Sequence, residues 1–277
     1  MRRRDFLKTS IAGAVATRGH AASGRRANDV VELGPDKVKL TRVAMGTGTK
    51  GYSRSSNQTR QLGIKGLADL LHFGYDQGLA FWDSADGYGS HPHLKEALKS
   101  VPREKVAILT KTRAATAAEM RADLDRFRQE IGTDYLDIVL LHALSSANWP
   151  EERKGAMEVL AEAREKGIVR THGVSCHSLK ALKTAAKTPW VHVDLARINP
   201  AGIIMDADPR TVIAVLREMK AAGKGVIGMK ILGEGQLRNR PDEALRFALS
   251  LDCVDCFTIG FENTNEVTDL MRRVAAA

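Results

Sequence analysis

From residue 38 onward the chain alternates short runs rich in Val and Ile with longer segments in which apolar residues recur every third or fourth position. A continuous apolar run bounded by turn residues marks a strand buried on both faces, and the wider spacing marks a helix with one buried stripe. Runs of the first kind fall at residues 38–46, 80–85, 106–110, 138–142, 169–174, 192–198, 226–232 and 256–260. Between them the helical period is plainest over residues 117–132, where Met120, Leu124, Phe127 and Ile131 form one stripe with Arg and Asp opposite. Asp208-Pro209 supplies an N-cap and a first-turn proline for a helix that ends at Gly223, and Gly167 closes an earlier one. Pro241-Asp242-Glu243 opens another, with its acids at the positive end of the helix dipole.

Eight strand–helix units in about 250 residues predict an α/β protein built as one closed parallel (β/α)8, or TIM, barrel. A doubly wound open sheet is the weaker alternative, since no G-x-G-x-x-G follows the first run. No repeat, low-complexity tract or linker interrupts the pattern, so residues 29–277 read as a single domain behind a leader of residues 1–28.

The leader has its own logic. It is basic over residues 1–4, then reads Phe6-Leu7-Lys8, then is weakly apolar over residues 10–16, then small at Ala21-Ala22-Ser23, the three-part layout of an export signal. Arg3-Arg4 ahead of Phe6-Leu7-Lys8 resembles the twin-arginine signal of bacteria, with Arg2 where Ser or Thr usually stands. The expectation is export to the bacterial periplasm in folded form, through the export machinery, with cleavage after Ala16 or Ala22.

Composition narrows the class further. With 43% hydrophobic, 27% charged and 5% aromatic residues the chain can bury a sizeable core, and no stretch approaches the roughly 18 apolar residues of a spanning helix, so no stable membrane insertion is expected. The formal net charge of +9 would suggest nucleic acid if the body carried it. Instead residues 1–28 hold seven cations against one anion, leaving the other residues at +3 with no basic stripe or nucleic-acid motif. Cys176, Cys253 and Cys256 are too few for a disulfide scaffold. Cys253-x-x-Cys256 has redox spacing, yet nothing completes a zinc site and Cys256 opens an apolar run, so buried thiols and no metal are expected.

In such a barrel the active site lies at the C-terminal ends of the strands. Three consecutive runs end in ionisable residues: Phe81-Trp82 leads into Asp83, with Tyr88 five residues on, Leu109-Thr110 into Lys111, and Leu140-Leu141 into His142. Singly, each has a bland explanation as an N-cap, a packing aromatic, a solvated strand end or a core histidine. Together at adjacent strand ends they supply a proton donor, a cation that lowers its pKa, an anion that holds the cation, and an imidazole that orients a carbonyl.

On these residues the chain resembles the aldo-keto reductase superfamily. The likeness is carried, in the family's order, by Gly46-Thr47-Gly48-Thr49, Asp83-Ser84-Ala85-Asp86-Gly87-Tyr88-Gly89, Thr110-Lys111-Thr112, Asp134-Tyr135-Leu136-Asp137 through Leu141-His142, Gly173-Val174-Ser175 and Thr258-Ile259-Gly260. The family's catalytic tetrad falls on Asp83, Tyr88, Lys111 and His142. The resemblance implies reduction of an aldehyde or ketone to an alcohol with NADPH or NADH: hydride comes from the nicotinamide, Tyr88 protonates the oxygen, and Lys111, held by Asp83, lowers the Tyr88 pKa. His142 would hydrogen-bond the carbonyl oxygen. On this reading Asp83→Asn raises the pKa of the proton donor.

The resemblance also implies cofactor contacts from Gly46, Thr47, Ser175, Cys176, Met229, Lys230, Leu232, Gly260 and Glu266. Here the chain departs from the family pattern. Cys176 replaces the Asn that holds the nicotinamide amide, and Leu195 stands where Gln is frequent, with Asp194 or Asn199 as stand-ins. Met229 takes the place of the stacking aromatic. Lys230 meets a cofactor phosphate or a substrate carboxylate, or caps the barrel. Met229-Lys230 matches a branch some of whose members carry a C-terminal iron–sulfur segment, whose four clustered cysteines this chain lacks. Glu262 and Glu266 are acidic where NADP-preferring members grip the 2′-phosphate, which leaves NADP against NAD open. Substrate choice is expected from residues 143–149 and 200–208, with Trp149 as a pocket wall. Two other functions compete: a Schiff-base lyase or aldolase using Lys111 or Lys230, and a barrel that binds a nucleotide or sugar without turnover.

Overall fold

A computed structural model describes residues 24–277; the Arg3-Arg4 segment and the rest of the signal-like stretch lie outside them. Two short strands, β1 (Val30–Leu33) and β2 (Val38–Thr41), form an antiparallel hairpin. The barrel follows as β3 (Val43–Gly46), α1 (Asn57–Asp76), β4 (Phe81–Asp83), α2 (His91–Ala97), β5 (Ala107–Thr112), α3 (Ala117–Ile131), β6 (Leu136–Leu144), α4 (Trp149–Glu152) and α5 (Lys154–Glu165). It continues through β7 (Val169–Cys176), α6 (Leu179–Lys187), β8 (Val193–Arg197), α7 (Pro209–Ala221), β9 (Gly225–Met229), α8 (Pro241–Ser250), β10 (Cys256–Gly260) and α9 (Thr264–Ala276). Strands β3 to β10 neighbour one another in chain order, and β10 pairs with β3 to close the expected parallel barrel.

Alternation along each strand sorts side chains into two layers. Phe81, Leu109, Ile138, Leu140, Leu195 and Ile227 fill the interior, whereas Trp82, Ile108, Val139, Val174 and Ala196 pack outward against the helices. Helix α3 shows how local signals set the outer layer. Thr116 accepts a hydrogen bond from the Glu119 N–H while Glu119 caps Thr116 in return, Gly132 ends the helix at φ 76°, and Met120, Leu124, Phe127 and Ile131 are buried. Asp208 caps α7 through the Thr211 N–H. Cys253 and Cys256 are unpaired and buried, Cys256 in the interior and Cys253 in the outer layer. Among the described residues no helix is long and apolar enough to cross a membrane.

The run at residues 38–46 is two strands, not one. The break falls at Arg42, whose N–H bonds to the Asp29 carbonyl and whose side chain pairs with the Asp29 carboxylate, turning the chain out of the hairpin and into the barrel. The body also begins ahead of residue 29: Ala27 is buried and its carbonyl accepts the Val43 N–H at 3.0 Å.

The hairpin closes the end of the barrel opposite the strand C-termini, inserting Leu33 and Leu40 into the interior cluster. Asp36 in its turn is the lock. It pairs with Arg164 at 2.8 Å and meets His192 Nδ1 at 2.6 Å, and it accepts from Thr171 Oγ1 at 2.7 Å. Burial pushes the Asp36 pKa up, but the bonds from His192 and Thr171 and the charge of Arg164 outweigh it and hold it below the ordinary value. A carboxyl depressed in the folded state stabilises above its unfolded pKa and loses that contribution as pH falls through the folded one. Asp36→Asn is therefore expected to cost about 1–2 kcal/mol at pH 7, and the difference from wild type should close in chemical denaturation below about pH 4. A loss independent of pH would contradict this role.

Candidate active site

Strands β4, β5 and β6 end side by side, and their termini carry Asp83, Lys111 and His142. Lys111 is 1% exposed. Its ammonium donates to Asp83 Oδ1 at 2.5 Å, to the Ser84 carbonyl at 2.7 Å and to the Tyr88 hydroxyl at 3.4 Å. An ammonium has three protons, and here each has an acceptor. Burial pushes the Lys111 pKa down, but the Asp83 charge and the Tyr88 contact more than offset it, so the net shift is upward and the amine stays charged. A Schiff-base nucleophile must be a neutral amine, so Lys111 does not fit the lyase reading.

Tyr88 differs from the sequence-level expectation. Burial raises its pKa most, Lys111 pulls it down and the Asp83 charge pushes it up again, which leaves it above the ordinary value. The pull of Lys111 is present, but the low dielectric around the phenol wins. The hydroxyl therefore holds its proton through the neutral range. His142 sits edge-on to the Tyr88 ring, with centroids 5.7 Å apart. Burial and then the Lys111 charge hold its pKa well below the ordinary value, so the ring is a neutral imidazole with one N–H.

The supports of these groups lie one layer back. Beyond His142 the register of β6 against β7 shifts, and Ala143 adopts φ 58°. A bulge of this kind re-aims side chains beside it. Ser175 pins it by accepting the Ala143 N–H at 3.0 Å, so Ser175, assigned to the cofactor by resemblance, is engaged in positioning His142. Thr47 is turned inward as well: its hydroxyl donates to the Asp83 carbonyl at 2.9 Å and shares a bond with Ser90, which in turn bonds Ser84 at 2.7 Å. This chain of hydroxyls fixes the two residues that hold Lys111.

The loop after β3 lies over Tyr88, and there glycine is required. A Cβ on Gly48 would come within 2.1 Å of the Tyr88 ring, and one on Gly51 within 2.3 Å. The ring has nowhere to retreat, because Lys111 is 4.6 Å from its centroid. Gly48→Ala is expected to displace the phenol and reduce turnover by about 10²-fold with the barrel still folded by circular dichroism. Unchanged turnover would remove this loop from positioning Tyr88.

A cavity of about 400 Å³ opens at the barrel mouth beside these groups. Asp83, Tyr88, Gly46, Met229, Lys230, Leu232, Gly260 and Glu266 line it, as do Lys50, Asn57 and Arg238. The last three were not singled out from the sequence, since they lie on loops or at a helix start, where no periodic signal marks a site. Thr47, Ser175 and Cys176 are not among its lining. Cys176 is fully buried in the outer layer, where burial raises its thiol pKa well above the ordinary value. Asp194 neighbours it there, fully buried and pushed up to about 8, mainly by burial and then by Asp206. It faces the helices and does not stand in for a Gln at the mouth. Leu195 packs in the interior. Asn199 ties the β8–α7 loop down, its amide donating to the carbonyls of Ile203 and Lys230. Trp149 is no pocket wall: it is fully buried and its indole N–H donates to the Ala181 carbonyl. Glu266 caps α9, accepting from the Glu262 N–H and the Asn263 amide. Lys230, at φ 61°, is ion-paired with Glu234.

An Asp–Lys pair sealed under a phenol, with a neutral imidazole on the next strand end, defines the class: a closed (β/α)8 barrel whose mouth carries groups able to hold and donate a proton. Sequence comparison gives the family. The profile of the Aldo/keto reductase family matches residues 44–276, and the chain belongs to that family. It is similar to an aldo-keto reductase of Mycobacterium avium, 30% identical over an alignment of 158 residues that covers 53% of this chain and 49% of the relative. A NAD/NADP-dependent indole-3-acetaldehyde reductase of Schizosaccharomyces pombe is 27% identical over 172 residues, covering 59% of this chain and 57% of its own length. The chain thus spans about half the length of the curated relatives it matches. Among solved structures, an aldo-keto reductase from Klebsiella pneumoniae in complex with NADPH has the same fold, with a TM-score of 0.68 at 18% identity over 89% of each chain.

Proposed function

We propose that this barrel reduces an aldehyde or ketone to an alcohol, using NADPH or NADH as the hydride source and Tyr88 as the proton donor. The observation that carries the reading is the buried Lys111, whose three bonds reach Asp83, the Ser84 carbonyl and the Tyr88 hydroxyl. The protonated phenol transfers its proton to the carbonyl oxygen as negative charge develops there. The phenolate left behind lies beside an ammonium that cannot swing away, because Asp83 holds it. The neutral His142 ring donates its N–H to the same oxygen and thereby sets the approach of the carbonyl. When bound, the nicotinamide supplies the hydride.

The mouth cavity supports a dinucleotide. It runs from Asp83 and Tyr88, past Met229, to Glu262 and Glu266 at the start of α9, and Lys50, Lys230 and Arg238 stand along it for the phosphates. Lys230 would exchange Glu234 for a phosphate oxygen. The acids at Glu262 and Glu266 leave both NADP and NAD admissible. The signal-like leader supports export in folded form, which suits a protein that loads its cofactor before leaving the cytoplasm.

The test is oxidation of NADPH and of NADH followed by absorbance in the presence of a panel of aldehydes and ketones. Carbonyl-dependent oxidation is expected with at least one nucleotide; none with either would count against the reading.

A further inference from the structure

Four cations stand around the imidazoles of His142 and His177, and three of them have a carboxylate each. Lys111 is held by Asp83, Lys230 by Glu234 and Arg197 by Asp206. Arg113 is different. Its carbonyl accepts a bond from Arg153 at 2.7 Å, which anchors its backbone, but among the described residues no carboxylate or hydrogen-bond acceptor engages its guanidinium.

The end of β5 places Arg113 at the mouth. β5 sends Leu109 into the interior and Lys111 to the Tyr88 hydroxyl and ends at Thr112, so Arg113 is the first residue of the loop beyond the strand's C-terminal end. Lys111 is buried, whereas Arg113 is exposed. His177 likewise comes directly after the end of β7 at Cys176, with its ring centroid 6.4 Å from that of His142. Arg197 ends β8 on the face of Val193 and Leu195. These groups make a rim at the ends of β5, β7 and β8 that meets the cavity wall where Arg197 stands beside Met229, its register partner on β9. The charges of Arg113 and Arg197 both reach His177, whose pKa burial and these cations lower to about 4, so its ring is a neutral hydrogen-bonding group.

We infer that the carbonyl substrate carries a carboxylate, held on this rim by Arg113 with His177 beside it while its carbonyl lies at Tyr88 and His142. The inference rests on the carbonyl-reductase reading above. One uncompensated guanidinium matches one negative charge, and its planar fork of donors fits the two oxygens of a carboxylate. Exposure lets Arg113 turn toward a substrate arriving from solvent, while Lys111 and Arg197 are committed to carboxylates and Lys230 is assigned to a cofactor phosphate.

The test compares matched pairs: glyoxylate, 4-oxobutanoate and 5-oxopentanoate, each against its methyl ester, in steady-state reduction by the full chain. For at least one pair the acid should exceed its ester by about tenfold or more in kcat/KM. The difference should lie in KM and shrink as salt is raised. In Arg113→Gln, acid and ester should converge, and Arg113→Lys should retain part of the preference. Succinate should inhibit ester reduction competitively in the wild-type chain, a readout that needs no variant to fold. Equal use of acid and ester, no inhibition by succinate, or a preference that survives Arg113→Gln would overturn the inference and leave carbonyl reduction standing. No turnover of any acid or ester would sink both.

Discussion

Tyr88→Phe should reduce carbonyl turnover by about 10²- to 10⁴-fold, the usual contribution of a positioned general acid, and leave nucleotide affinity within about twofold. The variant loses one hydroxyl and nothing else. Its ring keeps the space under Gly48 and Gly51 and its edge contact with His142. The lost bond to Lys111 is 3.4 Å long, so the stability change should stay within about 1 kcal/mol. The loss should appear in kcat, because the proton moves only in the transition state. Turnover at the wild-type rate would remove Tyr88 from the acid role, and loss of nucleotide binding would show that Tyr88 holds the cofactor instead.

The second large effect is expected from Asp83→Asn. Lys111 is fully buried and Asp83 is the only carboxylate that pairs with it among the described residues. Removing one partner of a buried ion pair strands the other, at a cost of about 3–5 kcal/mol. Burial is then opposed only by the contact with Tyr88, so the Lys111 pKa falls and its ammonium is populated less. Two influences on Tyr88 weaken together: the downward pull of the ammonium and the smaller upward push of the carboxylate. The pull is the larger, so the Tyr88 pKa rises, as the sequence alone suggested. In the direction of alcohol oxidation, which needs the phenolate, the pH–rate profile should shift to higher pH and kcat should fall by at least about 10²-fold. An unshifted profile with wild-type stability would contradict the coupling of Asp83, Lys111 and Tyr88.

The periodic parts of the chain were legible in the sequence. Fully buried parallel strands are continuous apolar runs, so all eight barrel strands could be read, and Asp83, Lys111 and His142 stood out at the ends of three of them; their reading as a tetrad with Tyr88 came from the family resemblance. The hairpin was not read, although Gly34-Pro35-Asp36-Lys37 between two Val- and Leu-bearing runs is a turn signal with a mechanism. Its second strand runs into β3 with only Arg42 between them, and hydrophobicity alone does not show the corner.

Roles were harder to read than positions. Ser175 and Cys176 are adjacent, yet one points inward to pin the bulge at Ala143 and the other outward into the helix layer. A one-residue step in a strand reverses the face, and no motif records which polar group has already been claimed by a neighbour. The direction of the Tyr88 shift depended on how deeply the phenol is buried, which the spacing of Asp83, Tyr88 and Lys111 does not encode. Arg113 escaped attention for a similar reason: a lone arginine after a strand is ordinary, and it gains meaning only when Asp83, Glu234 and Asp206 are seen to satisfy the cations around it.

The most direct test of dinucleotide-dependent chemistry at this mouth is a fluorescence titration of the purified chain with NADPH and NADH in parallel. Saturable binding of at least one of them is expected. If neither binds, then Met229, in place of the stacking aromatic, marks a mouth that does not take a dinucleotide, and the barrel holds some other small molecule without reducing it.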